Sequence, residues 1–118
     1  MNNYFAMMSR MKYIDRWALM RNTRAENLSE HSLEVSMIAH ALAILGNTYL
    51  GKELNAERAA VLGLYHDATE IITGDMPTPI KYYNPEIRHT YQDIEEKAGQ
   101  TLLSMLPEEM RVSYERLF

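Results

Sequence analysis

An all-α fold is what this sequence predicts. Three observations predict it: apolar residues recur at helical spacing along nearly the whole chain, capping residues stand where the apolar stripes begin, and no segment alternates in the period-two manner of a strand. At 118 residues the chain is one domain's worth of sequence, or a piece of one. A hydrophobic fraction of 47% is enough to build a core.

Phe5, Met8, Met11 and Ile14 fall on one stripe, which predicts a first helix over about residues 3–15. Residues 16–28 read as an irregular, polar connection. Ser29 can cap the second helix, with Asn27 as the rival cap. From there His31, Val35, Ile38, Leu42 and Leu45 step by four and three, the pattern of one buried face, and Gly46-Asn47 begins to end that helix. Asn55 is the next N-cap candidate. Ala59, Leu62, His66 and Thr69 repeat the spacing, and Gly74 closes this third helix. Pro77 and Pro79 keep the next segment extended. Asn84-Pro85 is a cap followed by proline at the first helical position. Ile87, Tyr91, Ile94, Ala98, Thr101 and Met105 form a long fourth stripe, and Leu106-Pro107-Glu108-Glu109 opens a fifth helix. There is no internal repeat and no low-complexity run.

Composition narrows the function classes. The net charge of −4 offers no basic stripe for a nucleic-acid polymer, although Arg16, Arg21 and Arg24 gather early enough to form a local anion site. The absence of cysteine excludes disulfides and thiolate metal sites and fits a reducing compartment. No stretch approaches the roughly 20 apolar residues of a membrane span, and residues 1–16 lack the apolar run of a signal peptide. A cytoplasmic protein without membrane contact is the expectation.

The chemistry gathers around two histidines on apolar stripes. His31 heads the face of the second helix and His66 sits in the face of the third, followed at once by Asp67. A buried aspartate needs a partner, because an unpaired carboxylate is costly to desolvate, and a metal ion is the strongest partner available. Imidazole plus carboxylate suits a borderline divalent ion. His66 and Asp67 are about 100° apart around a helix axis, so both reach one ion only in the cleft against a neighbouring helix, from which His31 can supply the next donor. Glu70 stands one turn beyond His66, where it can hold or deprotonate a water without ligating the ion. Asp75 ends the turn after Gly74, and the prolines of Gly-Asp-Met-Pro-Thr-Pro stiffen a loop suited to substrate contacts. His40 and His89 have no ligand-spaced partners. Metalloprotease, phosphate-loop and nucleophile-elbow motifs are absent.

A helical histidine followed some thirty-odd residues later by a His-Asp pair resembles the HD superfamily of metal-dependent phosphohydrolases. The words around those residues are more specific. Arg16-Trp17-Ala18-Leu19-Met20-Arg21-Asn22, Glu26-Asn27-Leu28-Ser29-Glu30-His31-Ser32, Tyr65-His66-Asp67-Ala68-Thr69-Glu70 and Thr73-Gly74-Asp75-Met76-Pro77-Thr78-Pro79-Ile80-Lys81 are similar to those of bacterial 5′-deoxynucleotidases, in order and across essentially the whole chain. The resemblance implies an HD-domain-like bundle of about five helices in which residues 1–118 are the N-terminal part of a single domain. It implies His31, His66 and Asp67 as metal ligands and Glu70 as the residue that orients and activates the attacking water. It implies Arg16 on the substrate phosphate, and Trp17 against the sugar, where its bulk disfavours a ribose 2′-hydroxyl. Asp75, Met76, Pro77 and Thr78 would line the nucleotide pocket. The implied reaction is removal of the 5′-phosphate from a deoxyribonucleoside 5′-monophosphate, with cobalt, manganese or a similar divalent ion, by a cytoplasmic dimer.

In one respect the sequence departs from that pattern. Family members carry a further aspartate in a later helix that completes the metal site; the sequence stops before it, and Asp93 does not match the motif. The expectation is therefore that C-terminal helices are missing and that this form self-associates to cover the exposed stripe. Two other readings stand beside the nucleotidase: a catalytically weak HD module that binds metal, nucleotide or a partner, and an HD hydrolase acting on another nucleotide.

Overall fold

The computed structural model describes residues 3–16, 25–74 and 78–118 of the chain, with the Thr78 side chain left out. The five expected helices are all present: α1 (Tyr4–Met8), α2 (Leu28–Tyr49), α3 (Ala56–Tyr65), α6 (Pro85–Ser104) and α7 (Glu108–Tyr114). Two one-turn helices, α4 (Glu70–Thr73) and α5 (Thr78–Lys81), lie between α3 and α6.

Local capping chemistry explains most of the boundaries. Asn27 prevails over Ser29: its side chain accepts from the Glu30 amide at 2.9 Å while Glu30 reaches back to the Asn27 amide, a complete capping box. Asn55 accepts from the Arg58 amide and Asn84 from the Ile87 amide, with Pro85 at the first position of α6. Gly74 ends α4 with φ of 75°, a conformation that favours glycine. At the corner between α6 and α7, Arg111 donates to the carbonyls of Leu103, Ser104 and Leu106 at 3.1, 3.1 and 3.2 Å, adding a side-chain donor where the helix runs out of backbone amides.

Three expectations are corrected. The first helix is α-helical only to Met8 and tightens into a 3₁₀ turn over Ser9–Tyr13; Tyr4 is buried there, while the predicted stripe member Phe5 is exposed. The third helix is interrupted: residues 66–69 form turns between α3 and α4. The buried face of α2 is rotated by about 100° from the predicted one. Leu28, Ser32, Ser36, Ala43 and Gly46 are its buried residues, whereas Ile38, Leu42 and Leu45 of the predicted stripe are exposed. The reason is the neighbour. α3 packs along α2 so closely that Gly63 meets Ser36 backbone, and Ser36 donates to the Ala60 carbonyl across the joint at 2.7 Å. Only small side chains fit between backbones at that separation.

Two adjoining clusters make the core. Tyr4, Ala68, Leu102 and Leu106 are fully or almost fully buried, with Met7, Met8, Met110 and Tyr114 around them. Met11, Leu28 and Ile71 form the second, sharing Met7 and Met8. Tyr4 is the keystone, with its ring centroid 5.0 Å from that of Tyr114 and 6.4 Å from that of Phe118. These clusters clamp the start of α2 and the 66–71 segment together, which is where the predicted ligands lie.

Candidate metal centre

His31 stands in the first turns of α2 and His66 caps the C-terminus of α3, with Asp67 in the turn after it. The turn, rather than a continuous helix, lets both consecutive side chains face α2. The Asp67 carboxylate is the meeting point: its Oδ2 lies 2.9 Å from His66 Nε2 and 3.4 Å from His31 Nε2. The imidazole centroids are 5.2 Å apart. One donor atom from each of the three residues lies within 4.8 Å of the others, and this is the one such grouping of histidine and acidic side chains found among the described residues.

The donor set fits a divalent ion. Adjacent ligands held at about 2.0–2.2 Å from one centre stand roughly 3.0–3.4 Å from each other, and the Asp67 oxygen meets both imidazoles near that spacing. The ring of His66 is set by its other nitrogen: Nδ1 donates to the Gly63 carbonyl at 2.7 Å, which aims Nε2 at Asp67.

The two imidazoles shift in opposite directions. Burial, assisted by the Arg16 charge, lowers the pKa of His31 despite the nearby Asp67 carboxylate, which keeps this imidazole neutral and its lone pair available. The hydrogen bond to Asp67 raises that of His66 against the opposing effect of burial. Burial pushes the Asp67 carboxyl up, but the hydrogen bond and charge of His66, with His31 and Lys81, outweigh it and hold the acid below its ordinary value.

The remaining predicted residues divide into those beside this centre and those outside the described residues. Glu70 heads α4, is only 3% exposed, and lies near enough for its charge to raise the pKa of His66. Its Oε1 is 3.5 Å from Nζ of Lys81, which also approaches Glu95 at 3.9 Å and lies over the Tyr91 ring. Arg16 is held by Glu26: Nη1 donates to Oε2 at 2.7 Å, and the Arg16 amide donates to the Glu26 carbonyl at 2.8 Å. Trp17, Asp75, Met76 and Pro77 lie outside the described residues, and Thr78 is described only as the first residue of α5. His40 is exposed, and exposed His89 meets only Asp93, at 3.7 Å.

Two residues at the site were assigned no role from the sequence. Lys81 belongs to the family-like words, but its partners come from α4 and α6, and no local pattern announces them. Glu26 left a fainter trace as an acid immediately before the cap of the histidine-bearing helix. A cavity of about 500 Å³ opens beside His66 and Thr69, walled by Gln92, Glu95, Gly99 and Phe118. Its further acids, Glu96 and Glu115, make it a poor berth for phosphate, and Arg16 is not in its wall.

Comparison with known proteins agrees with this geometry. The profile of the family described as "5′-deoxynucleotidase YfbR-like" matches residues 3–118. The chain is 59% identical over 111 residues to a 5′-deoxynucleotidase of Yersinia pestis (strain Pestoides F), and equally so to that of Yersinia pseudotuberculosis serotype O:3 (strain YPIII). The match takes in 94% of this chain and 56% of each relative, so the chain spans about half the length of the curated relatives it matches. An HD-domain phosphohydrolase from Listeria innocua superposes with a TM-score of 0.86 at 27% identity, covering 98% of this chain and 55% of that one. The matched range spans the segments that carry the cluster, and the chain belongs to the YfbR-like 5′-deoxynucleotidase family.

Proposed function

We propose that the chain carries the metal- and phosphate-binding half of a 5′-deoxynucleotidase, a phosphoric monoester hydrolase that releases the 5′-phosphate of deoxyribonucleoside monophosphates. The observation that carries this reading is the gathering of His31, His66 and Asp67 within 4.8 Å of one another, with the Asp67 oxygen 3.4 and 2.9 Å from the two imidazole nitrogens. Cobalt and manganese suit two imidazoles and a carboxylate. When bound, such an ion supplies a Lewis acid for the phosphoryl group and lowers the pKa of water.

The chain's own residues take the other roles. Arg16 presents a planar fork of donors to phosphate oxygens, and its pairing with Glu26 fixes where that fork points. Glu70, buried yet adjacent to the histidines, is placed to orient the attacking water and accept its proton, with Lys81 steadying the carboxylate. Trp17 is assigned to the sugar, as a wall against a 2′-hydroxyl, and Asp75, Met76, Pro77 and Thr78 to the nucleotide pocket.

Residues 1–118 would act as part of one HD-type domain in a cytoplasmic homodimer. No described helix is long and apolar enough to cross a membrane, and the outward Leu33, Met37 and Ile44, on one side of α2, give a second copy apolar surface to cover.

The test is phosphate release from deoxyadenosine and adenosine 5′-monophosphates with added cobalt or manganese. Release from the deoxynucleotide alone is expected. Glu70→Gln should abolish turnover while cobalt still binds; wild-type rates in that variant would remove Glu70 from the water-activating role.

A further inference from the structure

The capping box at the start of α2 places a residue that the proposed reaction does not use. With Asn27 as N-cap, Glu26 occupies the position before the cap and His31 the fourth position of the helix. Those two positions face each other across the first turn, and an apolar pair commonly staples them together. Here the pair is a carboxylate and an imidazole: Glu26 Oε2 lies 4.0 Å from His31 Nδ1, the ring nitrogen on the far side from Asp67. The same oxygen accepts from Arg16 Nη1 at 2.7 Å. Backbone pairing holds the two strands of chain in register, since the Arg16 amide donates to the Glu26 carbonyl, the Leu28 amide donates to the Ile14 carbonyl, and Asp15 bridges Asn27. Glu26, Arg16 and His31 are all partly shielded from solvent, at 27%, 19% and 19% exposure, so the contacts are less screened than those of surface ions.

We propose that Glu26 is a positioning residue shared by the phosphate arm and the metal centre. Its single oxygen orients the Arg16 guanidinium by a hydrogen bond and stands as a negative charge behind the His31 ring, whose Nε2 faces the cation site. Ligating histidines commonly lean on such an outer carboxylate, whose loss weakens metal affinity about 10–100-fold. The unusual element is the sharing. Arg16 draws the carboxylate away from His31 and keeps it at 4.0 Å, beyond hydrogen-bond reach. Whatever engages Arg16 therefore releases Glu26 toward the imidazole. The inference rests on the metal-site reading proposed for His31, His66 and Asp67.

The experiment is a cobalt(II) titration followed by the ion's visible absorption, on the wild type, Glu26→Gln, Glu26→Asp, Arg16→Met and the Arg16→Met/Glu26→Gln double variant. Circular dichroism monitors the fold of each. Glu26→Gln should weaken cobalt binding with helicity unchanged, by less than tenfold beside Arg16 and by tenfold or more in the Arg16→Met background, and Glu26→Asp should recover part of the loss. Arg16→Met should tighten binding in the wild-type background but not in the Glu26→Gln background. Equal cobalt affinity in wild type and Glu26→Gln, or the same Arg16→Met gain in both backgrounds, overturns the shared role alone. A wild type that binds no cobalt overturns the metal reading and this inference with it.

Discussion

Replacing Gly63 with alanine should separate the two helices that carry the cation site. A Cβ at this position would lie 2.8 Å from Ser36 Cα, 3.0 Å from Ser36 N and 3.2 Å from Val35 C, all backbone atoms that cannot rotate aside. Carbon atoms pack at about 3.5–4.0 Å, so α2 and α3 would have to part by roughly 0.7 Å. Overpacking of this kind costs about 1–3 kcal/mol, and backbone on the facing side puts it at the upper end. Alanine returns about 1 kcal/mol in helix propensity. The expected net loss is about 2 kcal/mol, seen in urea unfolding as a lower midpoint at unchanged slope. Cobalt affinity should fall as well, because the Gly63 carbonyl is the acceptor that orients His66. Gly46→Ala is the control. Its Cβ would meet the tips of Leu54 and Lys52 at 3.2 and 3.4 Å, side chains that can give way, so it should be neutral or slightly stabilising. If Gly63→Ala proves as stable as the wild type, direct backbone contact between the two helices is not what sets their separation.

Two further outcomes test the framework of the fold. Arg111→Met keeps the apolar stem but removes the donors that satisfy three carbonyls at the α6–α7 corner; it should cost about 1–2 kcal/mol, and a change below about 0.3 kcal/mol would show that solvent serves those carbonyls equally well. Burial, with Tyr65 and Tyr114 nearby, raises the Tyr4 phenol well above its ordinary value. A raised folded value means that its contribution is fully present below the unfolded value of about 10 and is lost as pH rises toward the folded one. Urea midpoints should thus fall above about pH 10, more gently in Tyr4→Phe, and identical slopes for both chains would refute this assignment.

How much of this was legible depends on whether the cause was local. Asn55, Asn84-Pro85 and Gly74 were readable because a cap or a positive φ involves only a few consecutive residues. His31, His66, Asp67 and Glu70 were readable because their residue types and spacing are themselves the chemistry, and the fold brings the first three together as expected. The buried side of α2 was not readable. Periodicity finds the faces of a helix but cannot rank them when one bears Val35, Ile38 and Leu42 and its neighbour Ser32, Ser36 and Ala43; that choice was made by a partner backbone at Gly63. The turn at 66–69 had no glycine or proline to mark it. Glu26 and Lys81 take their meaning from residues on other elements, so a pass along the chain could not assign them.

Tyr4 leaves the ribosome well before Tyr114 and Phe118, the rings it packs against at the far end of the described segment. At about 5–20 residues per second, several seconds pass before Tyr114 exists for it to meet. Throughout that interval Met7 and Met8 have only the Met11, Leu28 and Ile71 side of the core to pack on, and the Tyr4 ring lacks its aromatic partners. A cut that removed Tyr4 would therefore take away a closing piece of the core.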